Sequence, residues 1–250
     1  MKIKVRDIYD FLNEYAPFST QEEWDNSGLT VGSFEKEVSK ILIALDVTRK
    51  TINEAKKWGA DLVITHHPMI FTPISQVTDD MTVYEAVTSG MSFIASHTCL
   101  DKAAGGVNTC LAEKTGLKNI IDTEDGFLKI GEIETKSADE FAEHLKKSLG
   151  GSVSYTDSSK PITKVAFCSG GGGDFVALAK ENGADALLTG EAKHHEFLLS
   201  EDSGISLFAA GHFETENIVC EKLKDVLNEK FTNQLEIKVS DSKNPIKHIC

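Results

Sequence analysis

Cysteine, proline and tryptophan are all scarce in this 250-residue chain, at five, five and two residues. The cysteines are odd in number and lack CxxC spacing, which excludes a disulfide scaffold and a zinc-finger framework. Cys99, Cys110, Cys168, Cys220 and Cys250 are expected as reduced thiols of a cytoplasmic protein, mostly packed as small hydrophobes. Long hydrophobic runs are missing too. A run such as Ile41 to Leu45 is far too short to span a bilayer. The charged start, Met1 to Asp7, lacks the apolar segment that would follow in a secretory signal. Basic charge is in deficit: 26 Lys and Arg against 39 Asp and Glu leave a net charge of −13. An acidic surface repels phosphodiester backbones, so general nucleic-acid binding is excluded. No GxSxG elbow, HExxH motif or P-loop is present.

What is there is an internal echo. Glu54 to Thr65, with Gly59-Ala60-Asp61 at its centre, reappears as Leu178 to Thr189 with Gly183-Ala184-Asp185, at a constant offset of 124. Lys40 to Leu45 falls on Lys164 to Ser169 at that same offset, and Phe93 to His97 matches Leu207 to His212 more loosely. Three matched elements in one order indicate duplication.

Each half reads as strand, helix, strand, helix, strand. Strands are expected at 38–46, 62–65 and 92–96, with helices at 49–57 and 82–89. The second half repeats this with strands at 164–168, 186–189 and 205–210 and helices near 175–181 and 192–200. Continuous apolar strands alternating with helices imply parallel pairing with helices on the faces. The fold class is therefore α/β, with two related halves and largely parallel sheets. The halves are expected over 1–125 and 161–250. Residues 126–160 link them, with a strand at 127–134 and a helix opened by the capping box Ser137…Glu140. An amphipathic helix carrying Val5, Ile8, Phe11, Leu12 and Tyr15 precedes Pro17.

In parallel α/β sheets, functional side chains collect past the carboxyl ends of strands. Three such loops here carry histidine or carboxylate: Thr65-His66-His67-Pro68, His97 to Asp101, and Gly211 to Glu216. That residue set is the usual N/O ligand set of a metal site. Adjacent side chains in extended backbone point to opposite sides. His66 and His67 would then hold two neighbouring ions rather than one. His212 and Glu216, four apart, fall within one helical turn, and Glu216 would bridge the ions while Asp101 completes the shell of the second ion. His97 resembles a ligand by position, but with enough ligand-type residues elsewhere it serves either to support the ligands or transfer protons, or else in a capping or packing role. His195, after the strand equivalent to the one before His66, either faces the same cleft or lies on an exposed helix face. Gly170 to Gly173 marks close backbone approach, an anion nest or a flexible turn.

These residues resemble one known family, the Ngg-interacting-factor-three-like proteins, often named GTP cyclohydrolase 1 type 2. The shared pattern covers nearly the whole chain. It runs through Trp24-Asp25-Asn26-Ser27-Gly28-Leu29, Asp46-Val47-Thr48, Thr65-His66-His67-Pro68 and His97 to Asp101. It continues in Ser169-Gly170-Gly171-Gly172, Gly190-Glu191 with His194-His195, and Gly211-His212 with Thr215-Glu216. The resemblance implies that the two halves pack around a shared metal-binding cleft, with two divalent ions per subunit (zinc, iron, manganese or cobalt) on His66, His67, Asp101, His212 and Glu216. It also implies a toroidal homohexamer, and the short form without an inserted domain.

The activity implied is hydrolytic attack at C8 of the guanine of GTP, with loss of formate. Two metals can make a hydroxide of a shared water near neutral pH, and His97 or His195 could move protons to the departing nitrogen. The same centre would suit another small phosphoester or amide substrate. A non-enzymatic, metal-holding regulatory protein is the third reading. No membrane partner is expected.

Overall fold

The computed structural model describes residues 2–249. The chain opens with α1 (Val5–Tyr15), which buries Val5, Ile8 and Leu12. There follow β1 (Gly28–Val31), β2 (Lys40–Ala44), α2 (Arg49–Trp58), β3 (Leu62–Thr65), α3 (Thr82–Thr88), β4 (Ser92–Ala95) and α4 (Thr98–Lys102). Next come α5 (Val107–Thr115), β5 (Lys118–Asp122), β6 (Lys129–Lys136), α6 (Ala138–Leu149), β7 (Ser154–Tyr155) and β8 (Ile162–Phe167). The repeat then resumes through α7 (Val176–Glu181), β9 (Ala186–Thr189), α8 (His194–Ser203), β10 (Ser206–Ala209) and α9 (His212–Glu216). The chain ends with α10 (Val219–Lys230) and β11 (Glu236–Val239).

Two compact units result: Met1–Gly106 with Val219–Lys243, and Val107–Ile218 with Asn244–Cys250. The sheet of the first runs β1-β4-β3-β2-β11. Its strands are parallel except β1, which is antiparallel to β4. The sheet of the second runs β5-β6-β8-β9-β10-β7, with β8, β9 and β10 parallel and the flanking pairings antiparallel. The parallel strands are apolar on both faces: Ile41, Leu42 and Ile43, and likewise Ala186, Leu187 and Leu188, are fully buried.

The Gly-Ala-Asp echo has a structural cause. Gly59 ends α2 with φ of 78° in the left-handed region that glycine adopts without strain. Two residues on, Asp61 accepts hydrogen bonds from the Ser39 and Lys40 amides at 2.8 and 3.1 Å. In the second unit Asp185 accepts from the Thr163 and Lys164 amides at 3.0 and 2.9 Å. Each aspartate fastens the start of one parallel strand to the next and so sets their register. The segment recurs because each sheet needs that clasp.

The expected breaks near 125 and 160 do not coincide with the units. Residues 126–160 are built into the second, where Phe141, Ala142 and Leu145 of α6 share a core with Phe167, Leu188 and Phe208. The capping box is in place, with Glu140 N–H on Ser137 Oγ and Ser137 N–H on the Glu140 carboxylate at 3.3 and 2.8 Å. The far end of the chain returns to the first unit, because β11 completes the parallel sheet beside β2. Cys99, Cys110, Cys168 and Cys220 are buried, as a small-hydrophobe role requires, and Cys250 lies outside the described residues. Among the described residues no helix is long and apolar enough to cross a membrane.

Candidate metal centre

In the first unit, pairing with β2 continues past the end of β3: the His66 and His67 amides donate to the Ala44 and Leu45 carbonyls at 3.3 and 3.0 Å. The chain bends there instead of staying extended. The two rings therefore do not diverge as strand geometry predicts. Their centroids lie 4.9 Å apart, with His97 at 5.0 Å from His66 and 5.3 Å from His67. Each of the three histidines offers a nitrogen within 4.8 Å of the others, a spacing one ion could satisfy. His97 thus stands in the ligand cluster and not at its margin. Asp101, on α4, is buried and places Oδ1 3.5 Å from His66 Nε2.

Each ring is held from behind. His66 Nδ1 donates to the Ser96 carbonyl at 2.9 Å, and His67 Nδ1 stands 2.8 Å from Asp46 Oδ1. His97 Nδ1 is 2.9 Å from Asp25 Oδ1. An oxygen on Nδ1 fixes the neutral tautomer that carries its lone pair on Nε2, the arrangement typical of metal-ligating histidines. With that tautomer, His66 Nε2 and the Asp101 carboxylate present electron pairs to each other, an arrangement that a cation stabilises. The donor set fits a borderline divalent ion.

Asp25 organises this half. Its side chain is fully buried and also accepts from the Thr98 amide and hydroxyl at 3.0 and 2.5 Å. Burial alone would raise its pKa. The hydrogen bonds from His97 and Thr98 overcome that and hold it far below the usual carboxylate range. The same bonds tie the loop before β1 to the first turn of α4, which carries Asp101. Cys99, beside these groups, has its thiol pushed up by burial, so it is a poor thiolate ligand.

In the second unit, Gly211, with φ of 97°, turns the chain from β10 into α9. One helical turn then brings His212 Nε2 to 2.9 Å from Glu216 Oε2, while Nδ1 lies 3.1 Å from Glu191 Oε2. Glu216 is buried. The glycine-rich loop explains how it fits. A Cβ on Gly170 would stand 2.1 Å from Glu216 Oε1 and 3.4 Å from His212 Nε2. One on Gly173 would stand 2.1 Å from the Glu196 carboxylate. The close approach foreseen for Gly170 to Gly173 is therefore real, but it admits the protein's own carboxylates. His195 projects from the first turn of α8 with its side chain 72% exposed, 3.8 Å from Glu196, and joins none of the ligand-type clusters among the described residues.

Asp25, Asp46 and Glu191 carry the histidines from behind and were not singled out as site residues by spacing. Their signal lay in the Trp24-Asp25-Asn26, Asp46-Val47-Thr48 and Gly190-Glu191 stretches.

Residues 3–245 match the family model described as Duf34/NIF3 (NGG1p interacting factor 3). A Clostridium perfringens protein named GTP cyclohydrolase 1 type 2 homolog is 33% identical, over 99% of this chain and all of its own. A Helicobacter pylori protein named GTP cyclohydrolase 1 type 2 is 34% identical, over 93% and 98%. Among solved structures, Staphylococcus aureus protein SA1388 superposes with a TM-score of 0.92 at 27% identity, covering 99% of both chains. Reduced HcgD from Methanocaldococcus jannaschii does so with a TM-score of 0.85 at 31% identity, over 97% and 99%. The chain belongs to the Duf34/NIF3 family.

Proposed function

We propose that this protein is a dinuclear metal-dependent hydrolase of the GTP cyclohydrolase 1 type 2 kind. His66, His67 and Asp101 would hold two divalent ions together with His212 and Glu216. The observation that carries this reading is the locked histidine cluster, in which three rings converge while an oxygen on each Nδ1 fixes the lone pair on Nε2. When bound, the ions would supply the positive charge that activates water and polarises the bond under attack. The protein's own part is to orient and to move protons. Asp25 holds His97 with its lone pair on Nε2, so His97, where it does not itself ligate an ion, would take up a proton there and pass it to the nitrogen that departs as the ring opens. His195, exposed on α8, would exchange protons with solvent. The names of the relatives support GTP as the substrate, and the family resemblance supports formate as one product. The resemblance also supports a toroidal homohexamer, and the reduced-thiol composition supports the cytoplasm.

Metal-reconstituted protein incubated with GTP tests this reading. Expected are about two ions per chain and formate release that is lost in His66→Ala and Glu216→Ala. Failure to release formate with zinc, iron, manganese or cobalt would overturn it. Release of phosphate from other small esters in the same assay would replace it with a phosphohydrolase. Light scattering of the purified chain tests the hexamer.

A further inference from the structure

The second unit contains a cavity of about 580 Å³ whose walls include Gly190, Glu191, Phe197, His212, Glu214 and Asn244. Sites that take drug-sized ligands typically enclose ~300–1,000 Å³. One short helix borders it with two kinds of group: His212 and Glu216 pair across a turn, and Glu214 lies between them in sequence.

Glu214 is a placed carboxylate. A Cβ on Gly151 would stand 3.0 Å from its Cγ, and one on Gly211 would stand 2.1 Å from its Oε2. Both glycines have positive φ, 115° and 97°, so two backbone positions that suit glycine clear the space for one side chain. Asn244 Nδ2 donates to both Glu214 oxygens, at 2.8 and 3.0 Å. The Asn244 amide is itself oriented, because its Oδ1 accepts from the Ile246 amide at 2.8 Å. An NH2 group on an sp² carbon thus sits across the two oxygens of a carboxylate on the cavity wall. A 2-amino-4-oxo-pyrimidine ring presents such an NH2 and, beside it, a ring N–H. That edge would give the carboxylate two parallel hydrogen bonds where Asn244 supplies one shared nitrogen. Phe197 adds an apolar wall for the ring. Asp174, Glu191 and Glu196 also line the cavity against Lys193, which disfavours a polyphosphate there.

We propose that this cavity is the recognition site for the donor edge of a 2-amino-4-oxo-pyrimidine heterocycle, with Glu214 as its specificity-determining carboxylate and Asn244 as an internal stand-in that the ligand displaces. The assignment rests on the hydrolase reading above for the nature of the substrate, and it names how that substrate is told from its analogues.

Equilibrium binding of guanosine and of inosine, which lacks the 2-amino group, tests this on the full chain without added metal. Guanosine is expected to bind at least about tenfold more tightly than inosine, because a site built for a donor rejects the analogue lacking it. Glu214→Gln should bring the two affinities within about twofold of each other. Asn244→Ala removes the competing hydrogen bonds and should tighten guanosine by roughly 2- to 10-fold. Equal binding of the two nucleosides, no guanosine binding, a preference that survives Glu214→Gln, or an Asn244→Ala variant that binds no better would each overturn the proposal. Because no turnover is measured, the two readings fail separately. A chain that discriminates yet never releases formate loses the hydrolase function alone. One that hydrolyses GTP but ignores the 2-amino group loses only this site.

Discussion

Asp46 has one evident task, to hold His67 by its Nδ1 at 2.8 Å, and its side chain is about half exposed. Removing it should therefore weaken metal binding with little harm to the fold. Such outer partners typically contribute about 10–100-fold in metal affinity. Asp46→Ala is expected to raise the dissociation constant for zinc by that factor in a competition titration, while its urea unfolding midpoint stays close to that of the parent. Gly170 makes the opposite case, since its Cβ would collide with a buried carboxylate and its φ is 62°. Gly170→Ala should lose both stability and metal, the first by about 1–3 kcal/mol in denaturant unfolding. At this scale the residue types past the strand ends were legible in the sequence: His66 and His67 follow β3, Asp101 lies on α4 after β4, and His212 and Glu216 lie on α9 after β10. The convergence of His66, His67 and His97 was not, because it depends on a backbone bend that no spacing rule encodes. Nor was the task of Asp25, which reaches His97 and Thr98 from a loop far away in sequence.

Elements read well wherever their signals were local. Thr48 at the start of α2, Gly59 at its end and the Ser137…Glu140 box each specify a helix terminus within a few residues. α10 and β11 were not read as part of the first unit, because the pairing of Glu236–Val239 with Lys40–Ile43 is long-range and leaves no local trace. The aspartate clasps join the two levels, and one of them has a consequence for pH. Burial opposes ionisation of Asp185, but the amides of Lys164 and Thr163 outweigh it and lower its pKa. A carboxyl whose folded pKa lies below its unfolded value of about 3.9 contributes stability above that value. The contribution is lost as pH falls through the folded pKa. Asp185→Asn keeps the shape of the clasp and removes its ionisation. The variant should be less stable than the parent near neutral pH, and the gap should narrow below about pH 4 in unfolding midpoints measured across pH. A constant gap down to the acid transition would show that Asp185 acts by shape alone.

At the scale of the whole molecule, net charge and metal are coupled. The chain carries −13, and part of that charge is buried: Asp101 and Glu216 are only 8% and 4% exposed. Buried carboxylates cost stability unless a cation or strong hydrogen bonds compensate them. A divalent ion that binds the native state and not the unfolded chain stabilises by mass action, about 2.7 kcal/mol at a hundredfold excess over its dissociation constant. For a chain of this length, each kcal/mol moves the melting midpoint by roughly 2–4 °C. Saturating zinc or manganese should therefore raise the midpoint of chelator-stripped protein by about 5–10 °C in a calorimetric scan, and EDTA should reverse the gain. The rise should shrink in Glu216→Gln, which keeps the side chain's size and removes its charge. The stripped Glu216→Gln protein should in turn melt no lower than the stripped parent, since the charge it lacks is the one the metal neutralises. A parent midpoint indifferent to both metal and chelator would mean that these carboxylates are compensated by the protein alone.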